Sequence, residues 1–252
     1  MSFNSINNAL QAFSKISLEE MNGVKLMDRV ESKFILSAKQ LPEILNQIKN
    51  DYRVVSILGN LTPSYKTVYF DTDSFYFYHE HHRGRKNRYK VRFRNYVESN
   101  LTFLEVKHKQ NGRIDKQRIK VNNNNFILSP EDLMFLKEAN IDQTELKQKL
   151  TNHYKRITLV SNHSVERVTF DIDVNFKYHE FNSGLENVVI VELKQPTLSR
   201  TTPIYKVLKD AQIKSYNVSK YCIGLIKTHG IEKVKYNRFK KKIIQLNKIN
   251  AL

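Results

Sequence analysis

Residues 88–94 read Arg88-Tyr89-Lys90-Val91-Arg92-Phe93-Arg94. In an extended chain successive side chains alternate between two faces, so Arg88, Lys90, Arg92 and Arg94 share one side and Tyr89, Val91 and Phe93 the other. The pattern recurs outward from this stretch. Glu105 and Lys107 oppose Leu104 and Val106; Lys116, Arg118 and Lys120 oppose Ile119 and Val121; Arg29, Glu31 and Lys33 oppose Val30 and Phe34. Further along, Arg167, Asp171 and Asp173 oppose Val168, Phe170 and Ile172, and Glu192 with Lys194 opposes Val191 and Leu193.

An antiparallel sheet with one face in water accounts for any one of these strands. It gives no reason for six of them, nor for acid and base two residues apart in Glu31/Lys33, Glu105/Lys107 and Glu192/Lys194. A closed antiparallel β-barrel does, if the apolar faces lie outward beneath peripheral helices and the charged faces line a central tunnel. The expected class is therefore α+β. An unpaired buried ion costs several kcal/mol, so such an interior requires internal pairing or a ligand, and the ligand should be anionic and linear.

Composition agrees. The chain of 252 residues carries 42 Lys+Arg against 25 Asp+Glu, a formal charge of +17, which makes polyanions the first partners to consider. A hydrophobic fraction of 40% with 14 Phe and 13 Tyr supports a packed core and excludes disorder for most of the chain. No run approaches the roughly 18 apolar residues of a membrane span, and the opening residues lack the basic start and apolar run of a signal peptide, so the expected location is cytoplasmic. The single cysteine, Cys222, excludes an internal disulfide and a multi-cysteine zinc site. No glycine opens a Rossmann fingerprint or a P-loop, which leaves phosphate chemistry to side chains.

Helices are the minority. Apolar spacing predicts them over Ser5–Met21 and over Ala38–Ile48, the latter after Ser37 and with Pro42 near its start. Another is expected from Ser129-Pro130-Glu131-Asp132, with Leu133, Leu136 and Ile141 on its apolar face, and short ones over Thr144–Leu150 and Pro203–Asp210. The asparagine run 122–125 reads as a polar loop.

Several stretches together resemble the catalytic domain of the vacuolar transporter chaperone family of triphosphate tunnel metalloenzymes. They are Arg29-Val30-Glu31-Ser32-Lys33-Phe34, Tyr69-Phe70-Asp71-Thr72, Gly84, Arg88 to Tyr96, and Phe103-Leu104-Glu105-Val106-Lys107-His108-Lys109. Tyr154-Lys155-Arg156, Arg167-Val168-Thr169-Phe170-Asp171, Val191-Glu192-Leu193-Lys194 and Ser219-Lys220-Tyr221 with Gly224 continue the series. The order and spacing of these stretches, over about residues 24 to 228, carry the resemblance. It implies a tunnel domain over 24–228, preceded by an N-terminal helix within 1–23 that packs on the barrel and followed by a basic tail or helix at 229–252.

The resemblance also implies a polyphosphate polymerase, which transfers the terminal phosphoryl group of ATP to a growing phosphate chain with a divalent metal, Mn or Mg. Phosphoryl transfer suits such a lining, because it needs cations on the nonbridging oxygens, in-line positioning and a metal clamp. By matching position, Arg92 and Arg94 grip the transferred phosphate, and Lys33, Lys107, Arg167 and Lys220 complete the catalytic set. Arg88, Lys90, Arg118, Arg156, Lys194 and Ser219 are the further phosphate-binding candidates, although Ser219 serves equally well as a helix cap. Glu192 matches the metal-binding glutamate, and Glu31 and Glu105 are weaker metal candidates that serve equally to hold lysines in place. No membrane or phosphate-sensing domain accompanies the match, so coupled translocation is not expected.

Two alternatives stand beside the polymerase: a metal-dependent triphosphatase, and a non-catalytic polyphosphate-binding module. Nucleic acid is not an expected partner, because Tyr89 and Phe93 alternate away from the basic face and offer no stacking platform there. The cluster His79-Glu80-His81-His82 lacks the spacing of a helical zinc site and reads as a hairpin turn entering the basic strand. The tail from Ile231 carries Lys233, Lys235, Arg238, Lys240, Lys241, Lys242 and Lys248 against Glu232 alone. It reads either as an amphipathic helix meeting an anionic membrane, a protein or polyphosphate, or as a helix docked on the barrel.

Overall fold

The computed structural model of the protein describes residues 3–21, 30–122, 125–143 and 145–252. Arg29, Asn123, Asn124 and Thr144, which enter the expectations above, lie outside them. In chain order the first elements are α1 (Phe3–Gln11), β1 (Ser14–Ser17), α2 (Leu18–Met21), β2 (Val30–Ser37), α3 (Leu41–Ile48), β3 (Tyr52–Ser56), β4 (Ser64–Asp71) and α4 (Tyr76–Arg83). Strands β5 (Arg88–Tyr96), β6 (Leu101–Gln110) and β7 (Arg113–Val121), helix α5 (Pro130–Glu138), and strands β8 (Lys147–Ser161), β9 (Arg167–Tyr178), β10 (Phe181–Leu185) and β11 (Val188–Gln195) come next. Helices α6 (Pro203–Asp210), α7 (Lys220–His229) and α8 (Lys240–Asn250) close the order.

Eight strands form one antiparallel path, β2-β11-β9-β8-β4-β5-β6-β7, with β3 and β10 pairing at its flanks and β1 added in parallel to β3. A flat sheet would hold β2 and β6 six strand spacings apart, about 29 Å. Lys107 of β6 nevertheless reaches Glu31 of β2 at 3.6 Å, so the sheet curls until its charged face closes on itself. The expected closed barrel is corrected in one respect: among the described residues no ladder joins β2 to β7. The outer edge of β2 is instead taken by the segment entering α7, where Tyr216 N–H donates to the Lys33 carbonyl at 2.6 Å and Ser215 bridges Phe34.

The helices cover the outer face. Leu41, Ile44, Leu45 and Ile48 of α3 pack with Ile6 and Leu10 of α1 and Ile204 and Leu208 of α6 on Phe34, Phe170, Val191 and Leu193. A second outer cluster sets Phe77 and Leu136 against Val91, Phe93, Leu104 and Val106. Ser37 caps a 3₁₀ turn, Ala38–Gln40, that leads into α3, accepting from Lys39 N–H, and Ser129 forms a capping box with Asp132 at the start of α5, an arrangement in which the cap is worth about 1 kcal/mol. On α5 Leu136 is buried as expected, whereas Leu133 is exposed.

Four local expectations are corrected. The first helix ends at Gln11, because Ser14–Ser17 is recruited as a strand beside β3. Residues 147–150 are the start of β8, paired with the end of β4, rather than part of a helix. The histidine cluster lies on α4 and not in a turn, and the turn comes after it at Gly84 (φ 75°). Last, Asp173 is not on the charged face: it sits in a bulge with φ 51°, where β9 carries one more residue than β8, and pairs with Lys155 outside.

That bulge reverses the faces of β9. Val168, Phe170 and Ile172 pack outward, whereas Val174 and Phe176, of the same parity, pack inward against α7 with Leu150, Tyr154, Tyr221 and Leu225. Helix α7 thereby occupies one end of the curled sheet, buried along nearly its whole length. At Gly224 there is no room for a side chain, since a Cβ would lie 2.5 Å from Leu150 Cδ2 and 2.6 Å from Phe176 Cδ1. Helix α8 docks behind it through Leu246, with Ile243 and Ile249 against the same cluster.

Candidate functional site

The inner face is a basin walled by β2, β11, β9, β8, β4, β5, β6 and β7 and floored by the first turn of α7. Its charges form three groups. In the first, Arg92 donates through Nε and Nη2 to Glu105 Oε2 at 2.9 and 2.7 Å and through Nη1 to the Tyr69 hydroxyl at 3.2 Å. Lys116 contacts the other carboxylate oxygen, and Arg94 stands 4.0 Å from Oε2. Glu105 is fully buried. Burial alone would raise its pKa, yet Arg92, Arg94 and Lys116 hold the carboxyl far below the usual range.

In the second group Asp171 receives Arg156 as a fork, Nε to Oδ1 at 2.6 Å and Nη2 to Oδ2 at 2.9 Å, and also contacts Lys220. Against the effect of burial, these two cations bring Asp171 down to about 2. Tyr65 and Tyr154 supply ring faces to Arg156 at 5.2 and 5.3 Å, and Tyr154 supplies one to Lys220 at 4.7 Å. The third group lies on β2 and β11, where Glu192 meets Lys194 at 2.7 Å and Lys33 at 3.4 Å while Glu31 meets Lys107. The two carboxylates sit diagonally across adjacent strands, since Glu192 is opposite Lys33 and Lys194 opposite Glu31.

Cations exceed carboxylates here, and the excess registers physically. Lys90 has no carboxylate partner among the described residues. Its Nζ donates to Ser219 Oγ at 3.1 Å, and burial, with Lys33, Lys107 and Arg92 nearby, pushes it down to about 7. Burial likewise lowers Lys116 and Lys194 to about 8. The Nε atoms of Arg94 and Arg88 are buried without a hydrogen-bond partner. A buried donor left unsatisfied costs about 1–3 kcal/mol, so these nitrogens are suited to acceptor oxygens of water or a bound anion.

The structure thus gathers Lys33, Lys90, Arg92, Arg94, Lys107, Arg156, Lys194, Lys220, Glu31, Glu105 and Glu192 around one space. Arg167, on β9, stands opposite Lys194 of β11 and Val160 of β8, with its guanidinium at Met21 Sδ, away from the α7 end. Arg118 is exposed on the edge strand over the Phe103 ring at 4.6 Å, and Arg88 donates to the Arg85 carbonyl. Ser219 caps α7, accepting from Cys222 N–H while it holds Lys90. Residues that strand reading did not single out as site residues are Lys116, Tyr65, Tyr69 and Asp171. The alternation Tyr65, Thr67, Tyr69, Asp71 in β4 was the available signal, because it sets both tyrosines on one face.

Among the described residues no three His, Cys, Asp or Glu side chains cluster as a metal cage. The donor chemistry still separates the three glutamates. Glu105 is sealed by three cations, whereas Glu192 and Glu31 reach the lumen as paired hard-oxygen donors, a set that fits Mg or Mn sharing a substrate's phosphate oxygens.

A curled antiparallel sheet with an interior of paired and surplus cations defines a tunnel-type protein, and one solved structure agrees on the fold. A candidate adenylate cyclase from Bacillus halodurans superposes with a TM-score of 0.52 at 14% identity, covering 76% of this chain and 94% of that one. A candidate adenylyl cyclase from Hippeastrum, described as having a dominant triphosphatase activity, gives 0.47 at 12% identity, covering 78% and 94%. The VTC domain model matches residues 28–229, and the chain belongs to the VTC domain family. No curated protein matches it in sequence. No helix of the described residues is long and apolar enough to cross a membrane.

Proposed function

We propose that this chain is a metal-dependent polyphosphate polymerase, which moves the terminal phosphoryl group of ATP onto an inorganic polyphosphate chain within the basin. The observation that carries this reading is the surplus of buried cation, with unsatisfied donors at Arg94 and Arg88 and with Lys90 held by a hydroxyl rather than a carboxylate, in a chain of the VTC domain family. Arg92 and Arg94 bind the nonbridging oxygens of the transferred group, with the Arg92 fork fixed by Glu105 before substrate arrives. Lys33, Lys107 and Lys90 hold the neighbouring phosphates, and Arg156 with Lys220, oriented by Asp171, holds the end nearest α7. Lys194 and Arg167 extend the cationic wall along β11 and β9. Glu192, assisted by Glu31, would hold Mn or Mg, which when bound neutralises charge on the reacting phosphate oxygens.

A second reading, hydrolysis of inorganic triphosphate or a nucleotide, draws support from α7. It fills one end of the curled sheet, which favours a short substrate over a chain that passes through. ATP labelled on its terminal phosphate, incubated with the protein and Mn and resolved on a gel, separates the two. A ladder of lengthening chains, lost in Glu192→Ala, supports the polymerase. Free orthophosphate alone overturns it in favour of the triphosphatase, and binding without turnover leaves a polyphosphate-binding module.

A further inference from the structure

Outside the basin, the histidine cluster of α4 and the basic tail meet. His79, His82 and Arg83 from the last two turns of α4 and Lys235, Asn237 and Arg238 from the segment before α8 line a cavity of about 350 Å³. At roughly 30 Å³ per water this is room for about twelve waters, enough for more than a single phosphate group.

The two segments are held in register from both sides. The Tyr78 hydroxyl donates to the Lys235 carbonyl, and Arg238 Nη1 donates to the carbonyls of His82 and Arg83. The latter contacts satisfy the C-terminal carbonyls of α4 and anchor the guanidinium by one nitrogen, leaving Nε and Nη2 without a protein partner among the described residues. The Lys235 ammonium has no ion pair there. His82 is only 7% exposed, and its Nε2 has no hydrogen-bond partner. No carboxylate lines the cavity, since Glu80 pairs with Arg83 from its own flank at 3.3 Å.

A concave site walled by cations and lacking any acid concentrates positive potential, and a buried ring nitrogen without a partner leaves a polar atom to be satisfied, which an oxyanion does when that nitrogen carries the proton. Imidazole pairs also bind divalent metals, but Arg83, Lys235 and Arg238 around the histidines repel a dication and attract an anion. The same repulsion is felt by His79, which burial and then Arg83, His82 and Lys235 hold below its usual pKa.

The geometry points to a second anion site, between α4 and the segment entering α8, that binds a phosphate-type oxyanion of one or a few phosphate units independently of the basin. Lys235, Arg238, Asn237 and His82 are its ligands. This inference does not rest on the reaction proposed above, because it concerns a face of α4 outside the charged lumen.

Pyrophosphate titrated into the full-length protein, followed by calorimetry and by the ¹⁵N signals of the histidine rings, tests it. The expected result is more than one pyrophosphate per chain, with the His79 and His82 signals shifting. In Arg94→Ala, which damages the basin, those shifts persist. In Lys235→Glu, an exposed position, they require at least about tenfold more pyrophosphate while turnover of labelled ATP is unchanged. Competition by orthophosphate and by long-chain polyphosphate in separate arms distinguishes a free ion from a chain end as the source. Unmoved histidine signals at saturating pyrophosphate, or unchanged affinity in Lys235→Glu, overturn the site. Loss of ATP turnover alone would bear on the basin and not on this cavity.

Discussion

Replacing Glu105 by glutamine removes one negative charge from a fully buried position and leaves shape nearly unchanged. Arg92, Arg94 and Lys116 then face one another without the carboxylate between them. Breaking a buried pair by removing one partner costs about 3–5 kcal/mol, because the remaining charge stays desolvated. Here the lower half of that range applies, since the Lys116 side chain is 31% exposed and can turn to solvent, whereas those of Arg92 and Arg94, 13% and 12% exposed, cannot. With a urea dependence near 3 kcal/mol/M for a chain of this size, a loss of about 3–4 kcal/mol lowers the unfolding midpoint by about 1 M. Tripolyphosphate should return much of it. At 100 times its dissociation constant a ligand adds about 2.7 kcal/mol, and Glu105→Gln should bind tripolyphosphate at least as tightly as the unaltered protein, because it presents the same cations with one competing carboxylate fewer. The assay is urea unfolding followed by circular dichroism, with and without tripolyphosphate and without metal. A midpoint shift below about 0.3 M, or tripolyphosphate affinity that falls with the substitution, would refute the assignment of Glu105 as the charge-pairing centre of the basin.

Two further outcomes follow from the surplus charge and from the packing of α7. Lys90 lies near 7 in the folded protein against an ordinary value of about 10.4. Its buried charge therefore penalises the empty fold fully below about pH 7, and the penalty fades as pH rises towards 10. A bound polyanion reverses the shift, so at pH 8 tripolyphosphate binding should take up about one proton fewer in Lys90→Met than in the unaltered protein. Calorimetry in two buffers of different ionisation enthalpy measures this, and equal uptake in both proteins would sink the assignment. Gly224→Ala forces a methyl group against Leu150 and Phe176, an overpacking of about 1–3 kcal/mol. It should lower Tm by roughly 3–10 °C in scanning calorimetry, since each kcal/mol moves a chain of this size by about 2–4 °C. A change under about 1 °C would mean that α7 does not seat as closely as described.

The candidate site was legible to an unusual degree because its lining is built from strands. Side-chain direction in a strand depends only on parity, so Arg92, Arg94, Glu105, Lys107, Glu192 and Lys194 share a face wherever their strands go. Caps were legible for the same reason, as Ser37 and Ser129 act on backbone groups two or three residues away. Which of these residues are satisfied partners and which are spare was not. Glu105, Glu192 and Glu31 look alike as Glu-x-Lys, and only the neighbouring strands make the first a sealed hub and leave the other two open to the lumen.

Composition and period-two alternation by themselves determined a basic chain with a charged sheet face and a minority of helices, since those depend on residue identity and local geometry. The tertiary structure decided the rest. Val168, Phe170, Ile172, Val174 and Phe176 read as one unbroken apolar face, yet the extra residue at Asp173 turns the last two inward. The inward turn makes the bed for α7, whose first turn floors the basin, while the segment leading into it, rather than an eighth strand pairing, meets the edge of β2. The tail's apolar residues were compatible with a membrane, a partner or the body of the domain, and in the structure they join the cluster of α7 and the curled sheet. A bulge, an edge and a docking face depend on which distant strand lies alongside, and parity along one segment carries no record of its neighbours.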